Sequence, residues 1–197
     1  MLLIAGLGNP DEEYLKTRHN IGYRIIIALC EKLGHDFLKT AQTYRANQFL
    51  KMKAGEQDVV FCLPLGYMNN SGNALKQLMD FFGDNTTKDL WVVHDDTEIP
   101  FGTVKIKYGG TSGGHNGIKS IDEAIGEKYW RIRVGVGRPA SKEHDLADYV
   151  LAGFPKAEQA LLPTIIDQTV ATLVKSIEEG KLETKTFNAK KDINQST

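Results

Sequence analysis

The chain of 197 residues carries five histidines, at positions 19, 35, 94, 115 and 144. His35 and His144 read as surface or satisfied core residues. His19 stands differently, because the stretch GLGNPDEEYLKTRHNIGY packs Asn9, Tyr14, Arg18, His19 and Asn20 into one turn-rich run. A histidine that ends a polar loop between a strand and a helix can act as a general base on water. It then needs a carboxylate or carbonyl on its other ring nitrogen to fix the tautomer and raise basicity. Asp95 or Asp96, in HDDTEIP, can supply that partner. A base acting on water also needs polar groups to hold the water and the developing oxyanion. Asn9, Asn69 and Asn116 sit in three separate loops, and an amide both donates and accepts. No serine or cysteine is expected in a nucleophile elbow such as G-x-S-x-G, so water is the expected nucleophile.

Other chemistries fit less well. Gly6 and Gly8 follow a short apolar run, as the glycines of a dinucleotide-binding loop do. That fingerprint wants a third glycine or alanine and a helix starting at once, whereas here Pro10 and Asp11 follow and the amphipathic pattern begins about ten residues later. No G-x-x-x-x-G-K-[ST] phosphate loop occurs. The histidines show no i, i+4 pairing and no nearby cysteine. His94-Asp95-Asp96 could hold a hard cation, but neither a metal nor an organic cofactor is expected. Cys30 and Cys62 lie in apolar contexts and read as buried, reduced thiols.

The elements that must position these groups follow from periodicity. MLLIA reads as a buried strand. NIGYRIIIALCEKL has Ile21, Ile25, Leu29 and Leu33 at helical spacing, with Gly34 as a stop. YRANQFLKM and VVFCLPL read as a strand pair, Ser71 to Phe82 as a helix, and Leu90 to Val93 as a short buried strand. Val104, Ile106 and Tyr108 alternate with Lys105 and Lys107, which places the two lysines on one face. Ile118 to Ile125 reads as a helix, RIRVGVG as a strand, and residues 156–179 as one long helix. The pattern predicts an α/β fold: a single globular domain with a mixed, mostly parallel central sheet and helices on both faces. The domain is expected over residues 1–187, with 188–197 a polar, frayed tail. Ligands bind beyond the carboxyl ends of the strands in such sheets. The loops GLGNP, LGYMNNSG, HDDTEIP and GGTSGGHNG should therefore converge.

Composition is that of an ordinary globular chain, 41% hydrophobic and 25% charged. The apolar runs are too short to span a bilayer, and the N-terminus shows no secretory pattern, so a cytoplasmic protein is expected. The net charge is −1, yet residues 101–142 hold eight basic and three acidic residues. A local basic face on a neutral protein suits a polyanion bound in one place.

Together the motifs GLGNPDEEYLKTRHNIGY, PLGYMNNSG, HDDTEIPFG, KYGGTSGGHNGIKSI and YWRIRVGVGRP, in that order, resemble the bacterial peptidyl-tRNA hydrolase family. DYVLAGF, at residues 148–154, also looks familial. The resemblance implies a monomeric α/β enzyme that cleaves the ester joining a peptide to the terminal ribose of tRNA, without metal or cofactor. By the same resemblance, His19 matches the catalytic base and Asp95 its orienting carboxylate. Asn9, Asn69 and Asn116 match the amides that place water and bind the peptidyl end. Tyr14, Tyr67 and Met68 match substrate-cleft residues, and Lys105, Lys107 and Arg133 match contacts to tRNA phosphates. The chain departs from the family pattern at Gly66, Thr97 and Lys119, none of them a proposed catalytic group. A non-catalytic tRNA- or RNA-binding protein on the same scaffold is the alternative from another class. A hydrolase of small nucleosides or nucleotides is a third possibility, but it would not need the basic strand.

Overall fold

The computed structural model describes residues 1–83, 86–139 and 145–190. These residues form an eight-stranded sheet whose strands are β1 (Leu2–Gly6), β2 (Gln42–Tyr44), β3 (Asn47–Ala54), β4 (Gln57–Pro64), β5 (Leu90–Asp96), β6 (Thr103–Tyr108), β7 (Trp130–Gly135) and β8 (Lys185–Asn188). Across the sheet they run β2-β3-β4-β1-β5-β7-β6-β8. The helices are α1 (Ile21–Lys32), α2 (Phe37–Thr40), α3 (Ser71–Phe82), α4 (Asn116–Ile125), α5 (Leu146–Leu151), α6 (Lys156–Gln159) and α7 (Leu162–Glu178).

The mixed sheet with helices on both faces is as expected, but its balance differs from "mostly parallel". Only the centre, β4-β1-β5-β7, is parallel, and the outer strands pair antiparallel on either side. The centre is parallel because helical crossovers return the chain to the same end of the sheet. On one edge short turns join β2, β3 and β4 and enforce antiparallel pairing, whereas on the other β6 reaches β7 through a long loop and α4, and β8 arrives after α7.

β1 shows why its sequence is continuously apolar. Leu2 and Ile4 join the core under α1 and α7, while Leu3 and Ala5 join the core under α3 and α4. A strand covered on both faces has no polar side to alternate with. On α1, Ile21, Ile25 and Leu29 form the stripe that packs on the sheet. Cys30 and Cys62 are buried and reduced, as expected, and burial pushes the Cys30 thiol up to about 12.

Two expectations need correction. The helix expected over 156–179 is broken into α6 and α7, with Pro163 in the first turn of α7. Proline lacks an N–H and its ring crowds the carbonyl four residues earlier, so a continuous helix cannot pass through it. Of the tail expected over 188–197, the first residues are built into the fold. Asn188 pairs with Thr103 in β8, and Ala189 is fully buried with its N–H donating to Gly102 O at 2.7 Å. Residues 191–197 lie outside the described residues.

Candidate active site

The first strand ends against the first helix with no room for a side chain. A Cβ on Gly6 would lie 2.4 Å from Gly22 O, and one on Gly22 would lie 2.4 Å from Val93 O. This contact seats the start of α1 on the ends of β1 and β5. The 3-10 turn Arg18–Asn20 that precedes α1 is thereby held over the carboxyl end of the sheet. Asn20 is fully buried and grips the opening loop at both sides: Asn9 N–H donates to Asn20 Oδ1 at 3.0 Å, and Asn20 Nδ2 donates to Asn9 O at 2.8 Å. Met68 N–H donates to Asn9 Oδ1 at 2.9 Å. That bond fixes the amide's orientation and leaves the Asn9 NH2 for the cleft. Asn20 was placed in the opening motif by sequence but given no role. Its only sequence signal is a polar residue at the foot of an apolar helix.

His19 and Asp95 meet. His19 Nδ1 lies 2.8 Å from Asp95 Oδ1, and both residues are buried. Burial works against the charge on Asp95, but the two imidazoles facing it outweigh that penalty and hold it well below the usual carboxylate range. An ionised carboxylate only accepts, so His19 carries its proton on Nδ1 and Nε2 keeps its lone pair. The second imidazole is His115, whose Nε2 lies 2.9 Å from the same Oδ1. His115 had drawn no role from sequence. Its signal was its place directly before α4, where it caps the helix through Nδ1.

These groups open into a cleft of about 430 Å³ lined from all four expected loops: Asn9 and Tyr14, then Tyr67, Met68 and Asn69, then Asp95 to Thr97, then Ser112 to Asn116. Asn69 and Asn116 are exposed at its rim, and their side-chain amides make no hydrogen bond to protein among the described residues. Tyr67 Oη donates to Asp11 Oδ2 at 2.9 Å, tying two of the loops together. Leu146, Val150 and Leu151 of α5 add an apolar wall. Residues 110–114, GTSGG, do spell G-x-S-x-G, and Ser112 lines the cleft. Ser112 lies on a loop rather than a strand-to-helix turn, and no hydrogen bond joins its hydroxyl to a histidine among the described residues.

Over residues 3–196 the chain matches the family model described as peptidyl-tRNA hydrolase. The chain belongs to this family. It is 42% identical over 171 residues to peptidyl-tRNA hydrolase of Aliarcobacter butzleri, covering 86% of this chain and 88% of the relative. The Rickettsia canadensis protein of that name is 39% identical over 183 residues, covering 93% of this chain and 96% of the relative. Among solved structures, peptidyl-tRNA hydrolase from Acinetobacter baumannii superposes with a TM-score of 0.80 at 33% identity, covering 91% of this chain and 89% of that one.

The basic residues expected to meet tRNA do not line the cleft. Lys105 pairs across the strands with Arg133, and Lys107 with Arg131, so all four project from one face of the sheet. The face is less basic than its composition. Arg131 is buried against Asp122 at 2.7 Å, Arg133 Nε donates to Asp96 Oδ2 at 2.7 Å, and Arg138 pairs with Glu98. Lys105 and Lys107 enter no ion pair among the described residues. Lys142 and His144 lie outside them.

His19, Asp95 and His115 each offer a ligand atom within 4.8 Å of the others, a spacing a divalent cation could bridge. Their hydrogen bonds do not fit that use. A ligand role for His115 Nε2 would move its proton to Nδ1, which already accepts from two backbone N–H groups. His94-Asp95-Asp96 does not converge either, since His94 Nδ1 faces Asp95 O and Asp96 is held by Arg133.

Proposed function

We propose that the protein hydrolyses the ester between a peptide, or an N-acyl-aminoacyl group, and the terminal ribose of tRNA, with His19 as general base. Membership of the family supports the reaction, and the buried His19–Asp95 contact at 2.8 Å supports the assignment of the base. His19 Nε2 takes a proton from water while Asp95 steadies the imidazolium that forms. The hydroxide adds to the ester carbonyl. Asn69, with nearby backbone N–H groups, stabilises the tetrahedral oxyanion, and one such donor is worth roughly 3 kcal/mol. The intermediate collapses, the C–O bond to the ribose breaks, and the 3′-hydroxyl leaves with the proton from His19. Asn9 and Asn116 hold the peptide backbone, and Tyr14, Tyr67 and Met68 line the cleft for the acyl and terminal nucleotide groups.

Lys105, Lys107 and Arg133 contact phosphates of the tRNA, which positions the substrate without reading its sequence. This mechanism uses protein groups and water, with no step assigned to a metal or cofactor. The enzyme acts in the cytoplasm as a monomer, in the recycling of tRNA for translation. No helix among the described residues is long and apolar enough to cross a membrane. A tRNA-binding protein without activity would have no use for a buried base and carboxylate beside free amides.

The test incubates the protein with N-acetyl-aminoacyl-tRNA in EDTA. Release of the N-blocked amino acid is expected, and none, or release that needs added metal, overturns the reaction as written. His19→Ala should lose turnover and keep tRNA binding. Near-wild-type rates in that variant would assign the base to another residue.

A further inference from the structure

We propose that His115 is a positioning residue for the His19–Asp95 pair: held in one tautomer by the start of α4, it donates to the same Asp95 oxygen as His19 and limits how strongly that carboxylate pulls on the base. The inference rests on His19 as general base and deepens that assignment.

The tautomer follows from the contacts. His115 Nδ1 lies 3.1 Å from Gly117 N and 3.3 Å from Ile118 N. Backbone N–H groups can only donate, so Nδ1 presents its lone pair and the ring hydrogen sits on Nε2. That hydrogen points at Asp95 Oδ1, 2.9 Å away. A second proton on Nδ1 would face two N–H groups and the positive end of α4. The ring therefore presents its Nε2 hydrogen to Asp95 as a fixed donor.

Asp95 Oδ1 thus accepts from two imidazoles, at 2.8 Å from His19 and 2.9 Å from His115, in a residue 1% exposed. A carboxylate bound to one imidazole raises the basicity of that ring. A second donor on the same oxygen takes part of the negative charge, so His19 feels less of it. The second donor also fixes which oxygen faces His19. The two rings lie 4.8 Å apart, tilted by 43°.

The other ionisable groups nearby are accounted for. His94 of β5 packs edge-on against His115 at 4.9 Å, and burial keeps its imidazole uncharged. Arg133 of β7 is paired with Asp96, and Lys119 of α4 is exposed toward Glu123. From α5 the cleft receives only Leu146, Ala147, Val150 and Leu151.

His115→Asn separates the two functions of the side chain. Asparagine is a good helix cap but is too short to reach Asp95. The variant should fold, kcat should fall roughly tenfold through loss of a hydrogen bond to a charged group, and KM should stay within about twofold. The acidic limb of the pH profile of kcat/KM should move up by about half a pH unit, because Asp95 now holds the His19 imidazolium undivided. A residue that only capped α4 would leave that limb in place, so an unmoved limb overturns the proposal whatever happens to kcat. Imidazole 15N NMR of the wild-type protein gives a second test that needs no variant. The proton of neutral His115 is expected on Nε2, and finding it on Nδ1 overturns the proposal. An active His19→Ala would overturn the base assignment together with this inference, whereas an unmoved limb beside an inactive His19→Ala overturns this inference alone.

Discussion

At the residue scale, two neighbours on β5 show burial and charge pulling in different ways. Asp95 stays ionised because two imidazoles face it, while His94 stays neutral because it is buried with no anion on its ring. Both native values lie below the unfolded ones, so both make the fold acid-sensitive. As pH falls below the ordinary histidine value of 6.5, the unfolded chain takes a proton at residue 94 and the native protein does not. Stability then drops by about 1.4 kcal/mol per pH unit for that one group. Below the ordinary aspartate value of 3.8, Asp95 adds a second loss of the same sign. Urea unfolding of His94→Gln between pH 7 and about 5 should show a flatter pH dependence than wild type. Parallel curves for the two proteins would mean that His94 is protonated in the native state.

At the element scale, the glycine-rich loop before α4 has an unusual path. β6 runs antiparallel to β7, with Tyr108 opposite Trp130, so its carboxyl end lies at the far end of the sheet from the cleft. The loop must climb back along the sheet to deliver His115 and Asn116. Gly109, Gly110, Gly113 and Gly114 all take positive φ along that climb, which a side chain would strain. Arg131 anchors it, donating to Thr111 O and to Asp122 Oδ1, both at 2.7 Å. Arg131→Ala would leave Asp122 without its buried partner, at a cost of about 3–5 kcal/mol. Chemical denaturation should show that loss. A cost below about 1 kcal/mol, the range of an exposed pair, would remove Arg131 as the anchor.

On the other side of the cleft, Arg18 ties α5 to the turn that carries His19. Its Nη1 donates to Gly153 O at 2.8 Å and also faces Tyr149 O and Ala152 O, while its guanidinium stacks on Tyr149 at 4.1 Å.

At the scale of the whole molecule, a chain with net charge −1 must bind a polyanion through a local face. On the proposed face Lys105 and Lys107 carry the unpaired charge, while Arg133 shares its guanidinium with Asp96 and Arg131 is buried against Asp122. Asp96 lines the cleft and holds Arg133, so the basic face begins at the cleft's edge. Replacing Lys105 and Lys107 together by alanine should raise KM, preserve kcat, and make the plot of log K against log salt shallower by roughly 1.5 to 2. An unchanged slope would place the phosphates on another surface.

The sequence alone determined the elements and most of the cleft residues. Apolar period and loop composition report locally on what each segment buries, which is why β1, α1, α3 and β6 were legible and why His19, the Asp95–Asp96 pair and the three asparagines stood out. The choice of Asp95 over Asp96 came from the family resemblance. The break before Pro163 was written there too, though the apolar stripe running across it obscured it. Other features depended on tertiary structure. β8 forms only because β6 offers it an edge, and the outer strands are antiparallel because of how the chain turns. Arg131 and Arg133 look alike in an alternating strand, and only the loop and helix above them make one a buried anchor and the other a bridge to the cleft. His115 was invisible as a partner of Asp95 because its role needs two contacts at once, one to the backbone of its own helix and one to a strand 20 residues away. Sequence spacing carries the first contact, but only the fold brings the second within hydrogen-bonding distance.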